Sequence, residues 1–438
     1  MRRMTGGLVA ALENEKLGGS EDKKELPDHA DSLETDVADI NEDAAEGEAH
    51  QADTDEAEAT GAALESFIVA LEGMQQDGGL EPKGAMILHL SVEHLLNRVG
   101  SSGASTAVPA MESFGGSGSR LQAGQLALES LKDELNKIWQ AIVAAIKKAA
   151  AWVAGYWMKV FGAAEKLQRR AKALEEAARA TTGQMKQKEF EDAGLAAKVA
   201  TVSNTTAVAA VNEIKEFTTI IVSRGATISG EVGKAAVAAV EKLDASNLPA
   251  ILKLFEPIEK SHKLENPQEV GVSAPAEGLA VYATAELPGR RAIVSWVPAG
   301  GGDLKAQITQ LGSVGYKTVE INKGAKPGTK LQTMTQADAG AVAKAVGLIA
   351  GELLAYRKNS SNLAQIQKDL ATAAEGVAGK AGQEEDEAKR EELSAVKSIA
   401  TAANRALIEP GASFSKYAVQ TCEAYLHYAE KSLKQYGA

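Results

Sequence analysis

The chain has 438 residues, of which 24% are charged and 4% aromatic, and a single cysteine, Cys422. One cysteine excludes an intrachain disulfide and a cysteine-based metal site, and the length allows two or three domains with their own cores. The net charge of −12 is unevenly spread: residues 1–112 hold 24 Asp and Glu against 7 Lys and Arg, whereas residues 113–438 hold 35 against 40.

The chain opens with MRRMTGGLVAALENE, a short apolar run closed by Glu13 and Glu15. The run is too short for a secretion signal. No stretch reads as the 18–20 uncharged apolar residues of a membrane span, so cytoplasmic synthesis is expected. Residues 20–60 contain no aromatic side chain and almost no large aliphatic one. Such a segment buries too little apolar surface to offset its ordering entropy, and its like charges repel. Disorder is expected there, in either a solubilising tail or a removable propeptide.

Small-x-Glu steps recur nearby: Ala11-Leu12-Glu13, Ala63-Leu64-Glu65, Ala70-Leu71-Glu72, Ala110-Met111-Glu112 and Ala127-Leu128-Glu129. The last four precede Ser66, Gly73, Ser113 and Ser130. A small residue, an apolar one, an acid and then a small residue suit a protease cleft. Ala110-Met111-Glu112-Ser113 is the main candidate, because it lies in a Gly/Ser/Pro-rich linker and where the charge changes sign. Ala63-Leu64-Glu65-Ser66 and Ala70-Leu71-Glu72-Gly73 are secondary.

The run AMESFGGSGSRLQAGQLALESLKDELNKIWQAIVAAIKKAAAW, with the junctions before it, resembles the internal head (virion core) proteins of giant tailed bacteriophages. The likeness is closest over residues 60–165. It implies an acidic propeptide, here 1–112, removed by a prohead protease during capsid maturation. It also implies a protein made in the host cytoplasm and kept, once mature, inside the head with the DNA. Its partners would be the protease and capsid or other internal head proteins. Loss of the acidic segment would leave a mildly basic body, able to touch packaged DNA without sequence preference. Self-association is expected. Two alternatives are a procapsid scaffolding protein and an ejected, membrane-active protein.

From Leu121 to Leu174 apolar residues keep helical spacing, in the series Leu128, Leu131, Leu135, Ile138, Ile142, Ile146, Val153, Trp157, Val160, Ala164, Leu167, Ala171 and Leu174. Lys147 and Lys148 lie among the basic residues of the other face, and Trp139, Trp152 and Trp157 concentrate the indoles here. Three readings stand open: a core helix, an interfacial membrane helix, and a helix–helix assembly seam. Gly155 or Gly162 is expected to kink or split the helix.

Further helices are expected over 163–265, interrupted at Gly225, Gly230 and Gly233. Three strands follow: Leu279–Leu287, Arg291–Val297 and Tyr316–Ile321, with Pro288-Gly289 as a hairpin turn. The Gly-rich PAGGGD and the GAKPGTK run do not match a phosphate loop. Helices resume over 335–357, 360–378, 384–407 and 412–436, with a break near Pro410. His89 and His94 are five apart and do not form a helical zinc pair.

The fold class is thus mainly α: an Ala-rich helical bundle with a small antiparallel β insertion and a disordered acidic N-terminal segment. The expected divisions are 1–112, 113–266, 267–334 and 335–438. No catalytic, cofactor or metal site is expected.

Overall fold

The computed structural model describes residues 30–99, 108–109, 113, 117–201, 206–255, 271–321, 328–381 and 387–437. Three helices come first: α1 (Ala30–Gln76), α2 (Pro82–Arg98) and α3 (Ser117–Ala180). Strands β1 (Gln184–Met185) and β2 (Glu189–Glu191) lead to α4 (Ala193–Val199) and α5 (Ala207–Thr227). A π-helical turn, Ile228–Val232, joins α5 to α6 (Gly233–Lys242), and α7 (Leu248–Leu252) follows. The β region holds β3 (Leu279–Ala283), β4 (Arg291–Pro298), α8 (Leu304–Ser313), β5 (Gly315–Glu320) and β6 (Lys330–Gln332). The chain ends with α9 (Gln336–Ala355), α10 (Arg357–Ala381), α11 (Glu387–Leu433) and β7 (Tyr436–Gly437).

The axis of the molecule is α3. Its 64 residues span about 96 Å at the α-helical rise, and α1, α9, α10 and α11 pack along it. The apolar series read from the sequence is its buried stripe: Leu128, Leu131, Ile138, Ile142, Ile146, Val153, Trp157, Val160, Ala164, Leu167, Ala171 and Leu174 are all at most 5% exposed. Gly155 and Gly162 neither split nor end the helix. A helix enclosed along so much of its length is held by packing, which overrides two weak helix formers.

The strands form a three-stranded antiparallel sheet in the order β3-β4-β5, with Val281 opposite Trp296 and Ser295 opposite Tyr316. The expected hairpin lies between β3 and β4. Between β4 and β5 the chain forms α8, which the sequence-based expectation omits; Asp303 starts it by accepting a hydrogen bond from the Ala306 amide. Two short strand pairs are also absent from that expectation. β1 pairs with β7, and β2 with β6, so residues 184–191 are stitched to the chain's end and to 330–332.

Helix α11 runs unbroken past Pro410, where the sequence predicts a break. It also carries a row of tyrosines that hydrogen-bond distant carbonyls. Tyr417 donates to Pro288, Tyr425 to Val199 and Tyr428 to Gln332; Tyr436, just beyond, donates to Met334. Cys422 is fully buried among them, and burial pushes its thiol pKa up.

One expectation needs correction. Residues 30–60 are not without order: they lie in α1, and Leu33, Ile40 and Ala44 enter the main core. The part of the acidic segment before Ala30 lies outside the described residues. The stretch Gln336–Val377, formed by α9 and α10, has the length and composition to cross a membrane. In this fold α9 packs instead on α3 and α5, and half of its apolar window is buried.

Candidate functional site: the acidic arm and its junctions

Helix α1 contains 14 Asp and Glu and no Lys or Arg. Like charges three and four residues apart oppose a helix, so the stabilising charge has to come from elsewhere. It comes from the body of the protein. Lys166 meets Asp36 at 2.6 Å, Lys159 meets Asp43 at 2.7 Å and Lys132 meets Glu72 at 3.1 Å, all from α3. From α11, Lys397 meets Glu65 at 3.4 Å and Arg405 pairs with Asp55. The hydrogen bond to Asp43 holds the Lys159 ammonium above its usual pKa.

Between these two rows of cations runs a narrow apolar seam. Its ends are bulky, with Leu33 and Ile40 at one and Leu64, Ile68 and Leu71 at the other. Its middle is small: Ala44, Gly47, Thr54, Thr60 and Gly61 are buried. Small residues let α1 approach the large side chains of α3. At Gly47 the approach is closest, since a Cβ there would lie 2.3 Å from the Trp152 ring. The Trp152 Nε1 donates to the Asp43 carbonyl at 2.8 Å.

One carboxylate of α1 is in a different setting. Glu58 is turned towards α11, and burial pushes its pKa up to about 7, against the lowering effect of a hydrogen bond with Ser398. Nearby, Ser394 donates to Glu65 at 2.6 Å. Glu58, Glu65, Lys132, Lys397 and Arg405 line a cavity of about 810 Å³ between α1, α3, α8 and α11.

Helix α2 folds back beside α1 through Gly78 and Gly79, both at positive φ. It buries Ala85, Leu88, Val92 and Leu96, and its Arg98 pairs with Glu56 of α1 at 2.8 Å. Helices α1 and α2 thus form one arm, joined to the body by the connection that ends at α3.

The candidate junctions fall into two settings. Ala110, Met111 and Glu112 lie outside the described residues; Val108 is buried and Ser113 exposed, in the connection between arm and body. Ala63-Leu64-Glu65-Ser66 and Ala70-Leu71-Glu72-Gly73 lie inside α1, with Leu64 and Leu71 at 0% and 2% exposure. Ala127-Leu128-Glu129 is inside α3, and Ala11-Leu12-Glu13 is outside the described residues.

The indoles of α3 face inward. Trp139 is buried and donates to the Ala374 carbonyl at 3.2 Å, with the Lys397 ammonium over its ring. Trp157 stacks on Phe161 and touches Tyr356. In this fold the α3 stripe is a core stripe and the indoles are not offered to a bilayer. Lys147 pairs with Glu375 at 2.9 Å, and Lys148 is exposed. Sequence reasoning missed the body cations that hold the arm, because most lie about a hundred or more residues from their partners.

The site and fold are those of a helical structural protein carrying a docked acidic arm. The chain belongs to the phiKZ-like phage internal head proteins, whose family match spans residues 35–431. That span includes nearly all of α1 as well as the body. The family is structural and places the protein inside the virion head, in association with other head components. No curated protein and no solved structure matches.

Proposed function

We propose that this internal head protein is built with its arm docked and that a prohead protease removes residues 1–112 by cutting between Glu112 and Ser113. The observation that carries this reading is the pairing of α1 carboxylates with Lys132, Lys159, Lys166, Lys397 and Arg405 of the body. While docked, the arm neutralises these cations and presents other carboxylates, such as Asp39, Glu42, Glu46 and Glu48, to solvent, so the immature protein repels nucleic acid. Removal takes away those five partners together with a net charge of −17, and so turns a chain of −12 into a body of +5. The body can then lie beside packaged DNA through phosphate contacts, without reading sequence. The exposure of Ser113, outside any α-helix, supports this junction over those inside α1.

The test is the intact mass and N-terminal sequence of the protein from proheads and from mature particles. Full-length chain in proheads and a Ser113 N-terminus in mature particles are expected. Full-length chain in mature particles overturns the reading. Depletion of the protein from mature particles favours a scaffold instead.

A further inference from the structure

We propose that Glu65–Ser66 and Glu72–Gly73 are latent cleavage bonds, closed while α1 is docked and hydrolysed only after the arm has left the body. The inference rests on the proteolytic reading above and adds an order to it.

A protease cleft takes an extended segment of several residues, so a bond inside a helix is cut only when the helix opens locally. Opening α1 around these two bonds exposes Leu64, Ile68 and Leu71, all buried in the main core. It also separates Glu65 from Ser394 and Lys397, and Glu72 from Lys132. The end of α1 is tied down as well: Gln75 donates to the Leu121 carbonyl, and the Gly79 amide to the Met74 carbonyl. These bonds hold the C-terminal end of α1 against fraying.

Release removes every one of these contacts that reaches α3 or α11. The free arm has 14 carboxylates on α1 and no cation on that helix to offset them, and its seam has lost its partner. A helix stabilised by tertiary packing melts when the packing is gone. Both bonds then become substrates. Water adds across each amide, leaving a new carboxylate on Glu65 or Glu72 and a new ammonium on Ser66 or Gly73. The Glu65–Ser66 cut separates the Leu33–Ile40 end of the seam from the Ile68 end, and the Glu72–Gly73 cut parts the seam from α2. An intact arm is a ligand for the surface it has left; a divided one cannot span the seam. The secondary cuts therefore make the unmasking irreversible.

The experiment digests the full chain with a glutamate-specific endoprotease and follows products that retain the C-terminus by intact mass. Products beginning at Ser66 or Gly73 are expected on the order of 100-fold more slowly than the one beginning at Ser113. In a Lys132→Glu/Lys397→Glu chain, like charges face Glu72 and Glu65, and the two bonds are expected to be cut about 10-fold faster, with the Ser113 product unchanged. Hydrogen exchange of the native chain, which needs no variant, is expected to be slow over 60–76. Fast exchange there, or equal rates at all three bonds in the native chain, overturns the proposal. A parallel digest with the prohead protease separates the two readings. No cut by that enzyme sinks the proposed function, whereas early products beginning at Ser66 or Gly73 sink the order proposed here.

Discussion

Helices α1 and α11 are both 47 residues long, and both rest on α3 through a tryptophan pressed against a glycine. Trp152 lies on Gly47 of α1, and Trp157 lies on Gly411 of α11. Their charges differ completely. Helix α11 carries six acidic and six basic residues, whereas α1 carries 14 acidic and none. Helix α11 is buried on several sides and brings its own balance. Helix α1 is buried along one seam and takes its counter-charges from α3 and α11. Under the proposed processing, equal length and similar docking give one permanent helix and one conditional helix.

The largest expected effect is on the permanent side. Trp157→Ala removes a core side chain held between Tyr356 and α11 and is expected to cost about 3–5 kcal/mol of global stability, read by chemical denaturation. A small effect confined to one helix would break the picture of α3 as the common axis. Leu64→Ala is expected to cost about 2–5 kcal/mol, but to show as faster hydrogen exchange in α1 and α2, with the body unchanged. Global unfolding would mean that the arm is as permanent as α11.

Gly47→Ala separates intrinsic preference from docking. Alanine favours an isolated helix by about 1 kcal/mol, but its Cβ collides with Trp152, at an expected cost of about 1–3 kcal/mol. Slower exchange in α1 would show that propensity wins and the seam is looser than described. The pH effect through Glu58 is specific to the arm. Its pKa in the fold, about 7, is raised from 4.5, so the protonated form is favoured by folding. That contribution is fully present below 4.5 and is lost as pH rises through 7. Exchange in α1 should therefore quicken between those limits, and Glu58→Gln should flatten the change. Smallest is Asp43→Asn, expected to cost about 0.2–1 kcal/mol and to be partly mimicked by salt. An equal salt response in α11 would remove the distinction between the two helices.

The legible parts of the sequence are those whose signal is local. The α3 stripe is written in Leu, Ile, Val and Trp at three- and four-residue steps, and β3, β4 and β5 in short β-branched runs around Pro288-Gly289. Helix α8 is only ten residues long and follows three glycines, yet Asp303 before Leu304, Ile308 and Leu311 is a readable start. The pairs β1–β7 and β2–β6 are two and three residues long, too short to show a period. Composition misreads helix α1 for a physical reason. The middle of its seam is Ala, Gly and Thr, which count as weakly apolar, and its stabilising cations sit far along the chain. Its junctions are readable as motifs, and Leu64, Ile68 and Leu71, at four- and three-residue steps, already hint that two of them lie on a buried helical face.

The tyrosines at the end of the chain have a consequence for synthesis. Tyr417, Tyr425, Tyr428 and Tyr436 fasten the backbone at Pro288, Val199, Gln332 and Met334. Each is synthesised about 100 residues or more after the carbonyl it holds, so the nascent chain waits with those stretches unfastened. The arm and α3 emerge before these tyrosines and can already pair. During that interval the acidic helix can cover the apolar stripe of α3, a temporary cover for the growing polypeptide before the later helices close on it.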